Sequence, residues 1–191
     1  MNILKVTNSP IPSNCYIVLH DNGENCIVID PGSEDISILK NTIGNKNVDF
    51  IFLTHEHFDH IWGADKIREL YNAKLYCSEH TSLAIVNKKK NLSLFYNQTG
   101  FELQPCNSIL HDGQSIEWHG MLIEIIFTPG HTEGSICIKI GDNLFTGDTI
   151  IKSTPTITKL PGGDKNKLDQ SLRKLTDMGL ADLNLYYGHG I

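Results

Sequence analysis

At 191 residues the chain is long enough to bury a substantial core without staples, and a single domain over 1–191 is expected. Sixteen basic against twenty-two acidic residues leave a net charge of −6, which excludes a general electrostatic affinity for nucleic acid. No run approaches the ~20 apolar residues of a membrane span, and MNILKVTNSPIPSN lacks the basic lead and apolar stretch of a secretory signal. A soluble, cytoplasmic protein is therefore expected. Cys15, Cys26, Cys77, Cys106 and Cys137 form no Cys-x-x-Cys pair, and three of them lie in apolar strand-like runs. They read as buried reduced thiols, in keeping with a reducing compartment.

Short strand-type runs open the chain at residues 3–6, 15–20 and 26–30, with Asn22-Gly23 as a hairpin signal between the last two. Asp30-Pro31-Gly32 then turns the chain. Residues 33–43 (SEDISILKNTI) carry Ile36, Leu39, Lys40 and Ile43 at helical spacing and predict a helix capped by Ser33. The apolar run 48–53 (VDFIFL) predicts a strand, and Ile61, Ala64, Ile67, Leu70 and Tyr71 predict a helix over 61–71. A strand at 74–77 and a helix at 79–87 follow. The polar stretch 88–100 is a candidate rim for a substrate pocket, since long loops inside compact domains are more often functional than idle. Strands return at 115–118, 121–128, 135–140 and 143–146, separated by turn residues. A helix over 165–178 (Leu168, Leu172, Leu175, Met178) and a last strand at 183–187 complete the pattern. Two strand-rich halves, each followed by helices, suggest two sheets packed face to face with helices outside.

Between the strand at 48–53 and the helix at 61–71 lies THEHFDH, residues 54–60, with three imidazoles and two carboxylates in seven residues. Crowding so many such groups into one loop calls for a positive ion among them, and imidazole with carboxylate is the ligand set of zinc, iron or manganese. The competing reading is a solvated loop that happens to hold histidines. At a strand-to-helix junction His55 and His57 can converge on one point, while Asp59 and His60 aim at a second beside it. Three later residues look like partners, each in a glycine-rich turn after an apolar strand: His131 in TPGHTEGS, Asp148 in FTGDT and His189 in YYGHG. His20, His80, His111 and His119 have no second ligand nearby and are assigned no site. Asp30 either hydrogen-bonds a metal-bound histidine or caps a turn.

The order THEHFDH, PGHTEGS, TGDT and GHG, running from NCYIV at Asn14 to His189, resembles the metallo-β-lactamase superfamily of hydrolases, in particular its small glyoxalase II-like members. The resemblance implies an α/β fold, a four-layer αββα sandwich with two metals at one edge of the sheets. It implies that His55, His57 and His131 hold the first metal, that Asp59, His60 and His189 hold the second, and that Asp148 bridges both. Two divalent ions, zinc first and iron or manganese otherwise, would present a hydroxide to the thioester, ester or lactone carbonyl of a small-molecule substrate, with Asp59 orienting it. Asp148 disfavours β-lactam hydrolysis, because family members that act on β-lactams usually lack that carboxylate. Full-length glyoxalase II enzymes continue into a helical glutathione-binding region, whereas this chain stops two residues after His189, so no separate substrate domain and no glutathione specificity are expected. Many small relatives carry Gly-Arg-x-Asp before Leu-Pro-Gly-Gly, and here Thr156, Ile157, Thr158 and Lys159 stand there, so a rebuilt substrate face is expected. Lys159 could meet an anionic substrate or point into solvent. The rival functions are a persulfide dioxygenase with one iron on His55, His131 and Asp148, and a metal-dependent nuclease or phosphodiesterase.

Overall fold

The computed structural model describes residues 1–190. One sheet is built from β1 (Asn2–Thr7), β2 (Asn14–Leu19), β3 (Asn25–Ile29), β4 (Asn47–Phe52), β5 (Lys74–Ser78) and β6 (Ser108–Leu110), in that spatial order. β1, β2 and β3 run antiparallel, and β3 through β6 run parallel. Parallel neighbours need crossovers, and α1 (Ser37–Ile43), α2 (Phe58–Ile61), α3 (Ala64–Tyr71), α4 (Glu79–Ile85) and α5 (Ser93–Asn97) lie in them. The second sheet has β7 (Ser115–Trp118), β8 (Met121–Phe127), β9 (Ile136–Ile140), β10 (Asn143–Gly147) and β11 (Asn184–Tyr187), in the order β11-β10-β9-β8-β7. α6 (Lys165–Asp177) crosses from β10 to the parallel strand β11.

Side-chain alternation along the strands explains the layering. Tyr16, Val18, Ile27, Ile29 and Phe52 pack against Ile123, Ile125, Ile136, Ile138 and Phe145 between the sheets. The alternate residues Cys15, Ile17, Cys26, Val28 and Ile51 pack instead on Leu39, Ile43, Ala64, Ile67 and Ile85 of α1, α3 and α4. On the far side Ile126, Cys137 and Leu144 meet Leu175 of α6. Strands buried on both faces read as nearly unbroken apolar runs, which is how NCYIVL and NCIVI look in the sequence. The result is the expected two-sheet sandwich with helices on both outer faces. Among the described residues no helix is long and apolar enough to cross a membrane.

Four local readings need correction. Ser33 does not cap α1, which starts at Ser37 without a side-chain cap; the Ser33 hydroxyl instead donates to Asn8 Oδ1 and accepts from the Ser9 amide. The helix expected over 61–71 is interrupted at Trp62-Gly63, where the Gly63 amide donates to Pro31 O at 2.8 Å as well as opening α3. The stretch 88–100 contains α5, a single helical turn. Met178, expected on the buried stripe of the last helix, stays exposed just beyond α6.

Candidate metal centre

The topology gathers the singled-out residues at one edge. β8 and β10 are each antiparallel to β9, and β11 is parallel to β10, so β8, β10 and β11 all end on the same side. His131, Asp148 and His189 follow those three ends. β4 of the other sheet delivers residues 54–60, and β3, parallel to β4, delivers Asp30. Carboxyl ends of strands carry the functional turns in folds of this kind.

All seven predicted residues meet there. His55, His57 and His131 form one group whose candidate donor atoms lie within 4.8 Å of one another, and Asp59, His60 and His189 form a second by the same measure. In the first, His57 Nδ1 and His131 Nε2 are 2.9 Å apart. In the second, His60 Nε2 lies 3.2 Å from His189 Nε2, and Asp59 Oδ2 is 3.3 Å from His189 Nε2. Asp148 stands between them: Oδ1 is 3.5 Å from His60 Nε2, while Oδ2 is 3.5 Å from His131 Nε2 and 3.4 Å from His189 Nε2.

The remaining ring nitrogens are committed outward, and this fixes the tautomers. His131 Nδ1 donates to Ile157 O at 2.7 Å and His189 Nδ1 to Pro12 O at 2.9 Å. His60 Nδ1 faces Asp30 Oδ2 at 3.0 Å. Thr54 Oγ1 donates to Asp30 Oδ2 at 2.6 Å and so accepts from His55 Nδ1 at 3.1 Å. Each of these four rings therefore turns Nε2 to the centre, with Nδ1 oriented by a partner, the arrangement typical of metal-ligating histidine. Of the two roles open to Asp30, the buried contact to His60 is the one it fills, together with acceptance from the Thr54 amide at 2.8 Å.

Buried polar atoms are nearly always satisfied. His55 Nε2, His57 Nε2 and Asp148 Oδ1 are buried without a hydrogen-bond partner among the described residues. These unpaired atoms, with His57 Nδ1 and His131 Nε2 facing each other at 2.9 Å, are donors suited to a cation, so the residues present suit a metal. Imidazole and carboxylate together select zinc, iron or manganese over calcium or magnesium.

Protonation separates the two groups. Burial, with the neighbouring His60, pushes His55 well below the ordinary imidazole range, and burial beside His131 lowers His57 to about 4. Both are neutral and ready to ligate at pH 7. Burial also pulls on His60 and His189, but the Asp148 and Asp59 carboxylates outweigh it and raise both. At least one Nε2 of this facing pair therefore carries a proton at pH 7, and its charge in turn holds Asp148 and Asp59 low against the desolvation that would raise them. Metal entering the second group must displace that proton. Uptake at pH 7 is therefore expected to release at least one proton per chain, measured as the buffer-dependence of the calorimetric heat. Second-group affinity should fall as the pH drops, with the first group far less affected.

Glu56 and its surroundings were missed by sequence reasoning, though the residue sits in the motif itself. Its carboxylate is buried and accepts from Thr132 Oγ1, and His80, assigned no role, lies 3.5 Å from its other oxygen. On the stretch 88–100, Tyr96 of α5 stacks on Phe58, between His57 and Asp59, at a centroid distance of 4.8 Å. Ile157, whose carbonyl holds His131, exposes its side chain, as Phe95 does on α5.

The comparisons with known proteins agree with this geometry. "Probable metallo-hydrolase MJ0888" of Methanocaldococcus jannaschii is 34% identical over 200 aligned positions, covering 98% of this chain and 92% of that protein. Among solved structures, the BLEG-1 B3 metallo-beta-lactamase superposes with a TM-score of 0.88 at 24% identity, covering 100% of this chain and 92% of that one, a likeness of fold. TTHA1623, solved in a di-iron-bound form, gives a TM-score of 0.79 at 25% identity, covering 98% and 92%. The family model described as "Metallo-beta-lactamase superfamily" matches residues 8–189, and with the αββα sandwich and the converged His/Asp edge this chain belongs to the metallo-β-lactamase superfamily.

Proposed function

We propose that the chain is a dinuclear, metal-dependent hydrolase of thioesters or of related esters and lactones, a glyoxalase II-like activity. The observation that carries this reading is the convergence of seven donors around two adjacent points, four of the five imidazoles being oriented by an outward Nδ1 contact. His55, His57 and His131 would hold one divalent ion, Asp59, His60 and His189 the other, and Asp148 both. Zinc suits the donor set best, and the similarity to a di-iron-bound relative and to a named metallo-hydrolase supports a metal pair and hydrolysis. When bound, such a pair supplies Lewis acidity for a carbonyl oxygen and makes water available as hydroxide near neutral pH.

The chain's own groups do the rest. Asp59 orients the attacking water and holds its proton, from a carboxylate already fixed against His189 at 3.3 Å. Asp148 keeps the two imidazole groups at a constant separation. The exposed Phe95, Tyr96 and Ile157 offer apolar surface suited to an acyl group, Tyr96 through its stacking on Phe58 and Ile157 through its carbonyl on His131, and Lys159 is exposed on the same loop as Ile157. Five cysteines without a disulfide support a reducing, cytoplasmic setting.

The test is a substrate panel run on protein of measured metal content. Near two ions per chain, with thioester or lactone cleavage that chelation abolishes and zinc, iron or manganese restores, is the expected result. Activity surviving thorough chelation, or faster turnover of a β-lactam, would overturn it. A single ferrous iron with oxygen consumption would indicate a persulfide dioxygenase instead, and RNA cleavage at moderate salt a nuclease.

A further inference from the structure

Glu56 lies in the chain between His55 and His57, but its carboxylate contacts Thr132, Thr81 and His80. It is 3% exposed. Oε2 accepts from Thr132 Oγ1 at 2.9 Å and from Thr81 Oγ1 at 3.3 Å, and Oε1 faces His80 Nε2 at 3.5 Å. Thr132 directly follows His131, so this one carboxylate ties the turn carrying His55 and His57 to the turn carrying His131.

The second turn is shaped around that tie. With its proton on Glu56, the Thr132 hydroxyl accepts from Ser135 Oγ at 3.0 Å, and Ser135 Oγ also receives the Thr132 amide at 3.1 Å. Gly134 packs so closely that a Cβ there would lie 2.4 Å from Thr81 Oγ1 and 3.0 Å from Glu56 Oε2. The segment TEGS is thus folded onto the acid. The second donor group rests on contacts that do not involve Glu56: Ser13 Oγ donates to Asp59 O, Asp30 holds His60, and Pro12 O holds His189.

We propose that Glu56 is a positioning residue that sets the spacing of the His55, His57 and His131 donors, and through it the metal affinity of that group alone. This rests on reading the two groups as metal sites. Residues that orient ligands without touching the ion characteristically change affinity about 10- to 100-fold when removed. The carboxylate acts here as a double hydrogen-bond acceptor, a role an amide oxygen can also fill.

The experiment titrates the metal-free full chain with Zn²⁺ by calorimetry and with Co²⁺ by its d–d absorption, in two single-site backgrounds. Asp59→Asn reports the first group and His131→Ala the second. Glu56→Ala is expected to weaken the first group about 10- to 100-fold, with a shifted Co²⁺ spectrum, and to leave the second unchanged. Glu56→Gln should restore both affinity and spectrum, and Thr132→Val should reproduce the Ala variant should that one fail to fold. Equal weakening of both groups, no weakening of either, or a Gln variant as poor as Ala would each overturn the proposal. Wild-type protein taking up fewer than two ions would instead overturn the underlying reading of the site.

Discussion

Asp148→Asn is expected to strip the chain of both metals at once, and to reduce hydrolysis by more than about 100-fold, since even residues behind the ligands cost about 10- to 100-fold. Asp148 lies within 3.5 Å of donors from both groups, through His60, His131 and His189. The amide keeps the shape and loses the charge, so its effect isolates electrostatics from packing. Metal analysis after gel filtration should find less than one ion per chain. A second signature appears in chelated protein. Asp148 is held low by the His60 and His189 cation, so its stabilisation is present above its unfolded value near ~4 and is lost as the pH falls through the lower folded value. His60 and His189 are raised, so their share is complete at low pH and is lost as the pH rises through their folded values. The stability gap between wild type and variant should therefore peak between these limits and close at both ends. An Asp148→Asn chain that still holds two ions would end the bridging role.

Much of this edge was legible because ligand chemistry is written in residue types. Histidine and aspartate in four short motifs, each after an apolar run, pointed to one place, and the strand directions put them there. What surrounds the donors was not legible for a definite reason. His131 and His189 are oriented by the backbone carbonyls of Ile157 and Pro12, and every residue has a carbonyl, so no letter of the sequence marks these two. Glu56 was visible but indistinguishable from a solvated acid, because its partners Thr81 and Thr132 are remote in sequence. In the fold, β6 was missed since three residues, Ser108–Leu110, are too few to show a period. The expected Ser33 cap failed because Asn8 and Ser9 compete for the hydroxyl from another turn. β4 carries a register shift against β3 near Cys26, which lets Val48 and Ile51 share one face in violation of strict alternation.

Gly32→Ala should damage the centre as severely as removal of a ligand, although Gly32 offers no side chain to it. A Cβ on Gly32 would stand 1.6 Å from Asp59 O and 2.4 Å from the Asp59 carbonyl carbon. These are backbone atoms, so no rotamer change relieves the clash. Asp59 O is also held by Ser13 Oγ at 2.5 Å, which leaves the turn little freedom to retreat. Overpacking of this kind costs about 1–3 kcal/mol and occasionally more, and a backbone-to-Cβ overlap belongs at or above the top of that range. Gly23→Ala gives the contrast: its φ of +74° strains an alanine, but nothing lies within 4 Å, so its cost should be about 1–2 kcal/mol with metal binding intact. Because the displaced residue is Asp59, at the start of α2 with His60, the Gly32 variant should lose the second metal while the first group keeps its ion. That is the mirror image of the Glu56→Ala pattern, and the two variants titrated side by side separate the supports of the two groups. Urea midpoints and Zn²⁺ stoichiometry are the measurements; a Gly32→Ala chain with wild-type midpoint and two ions would show that α2 does not depend on this contact.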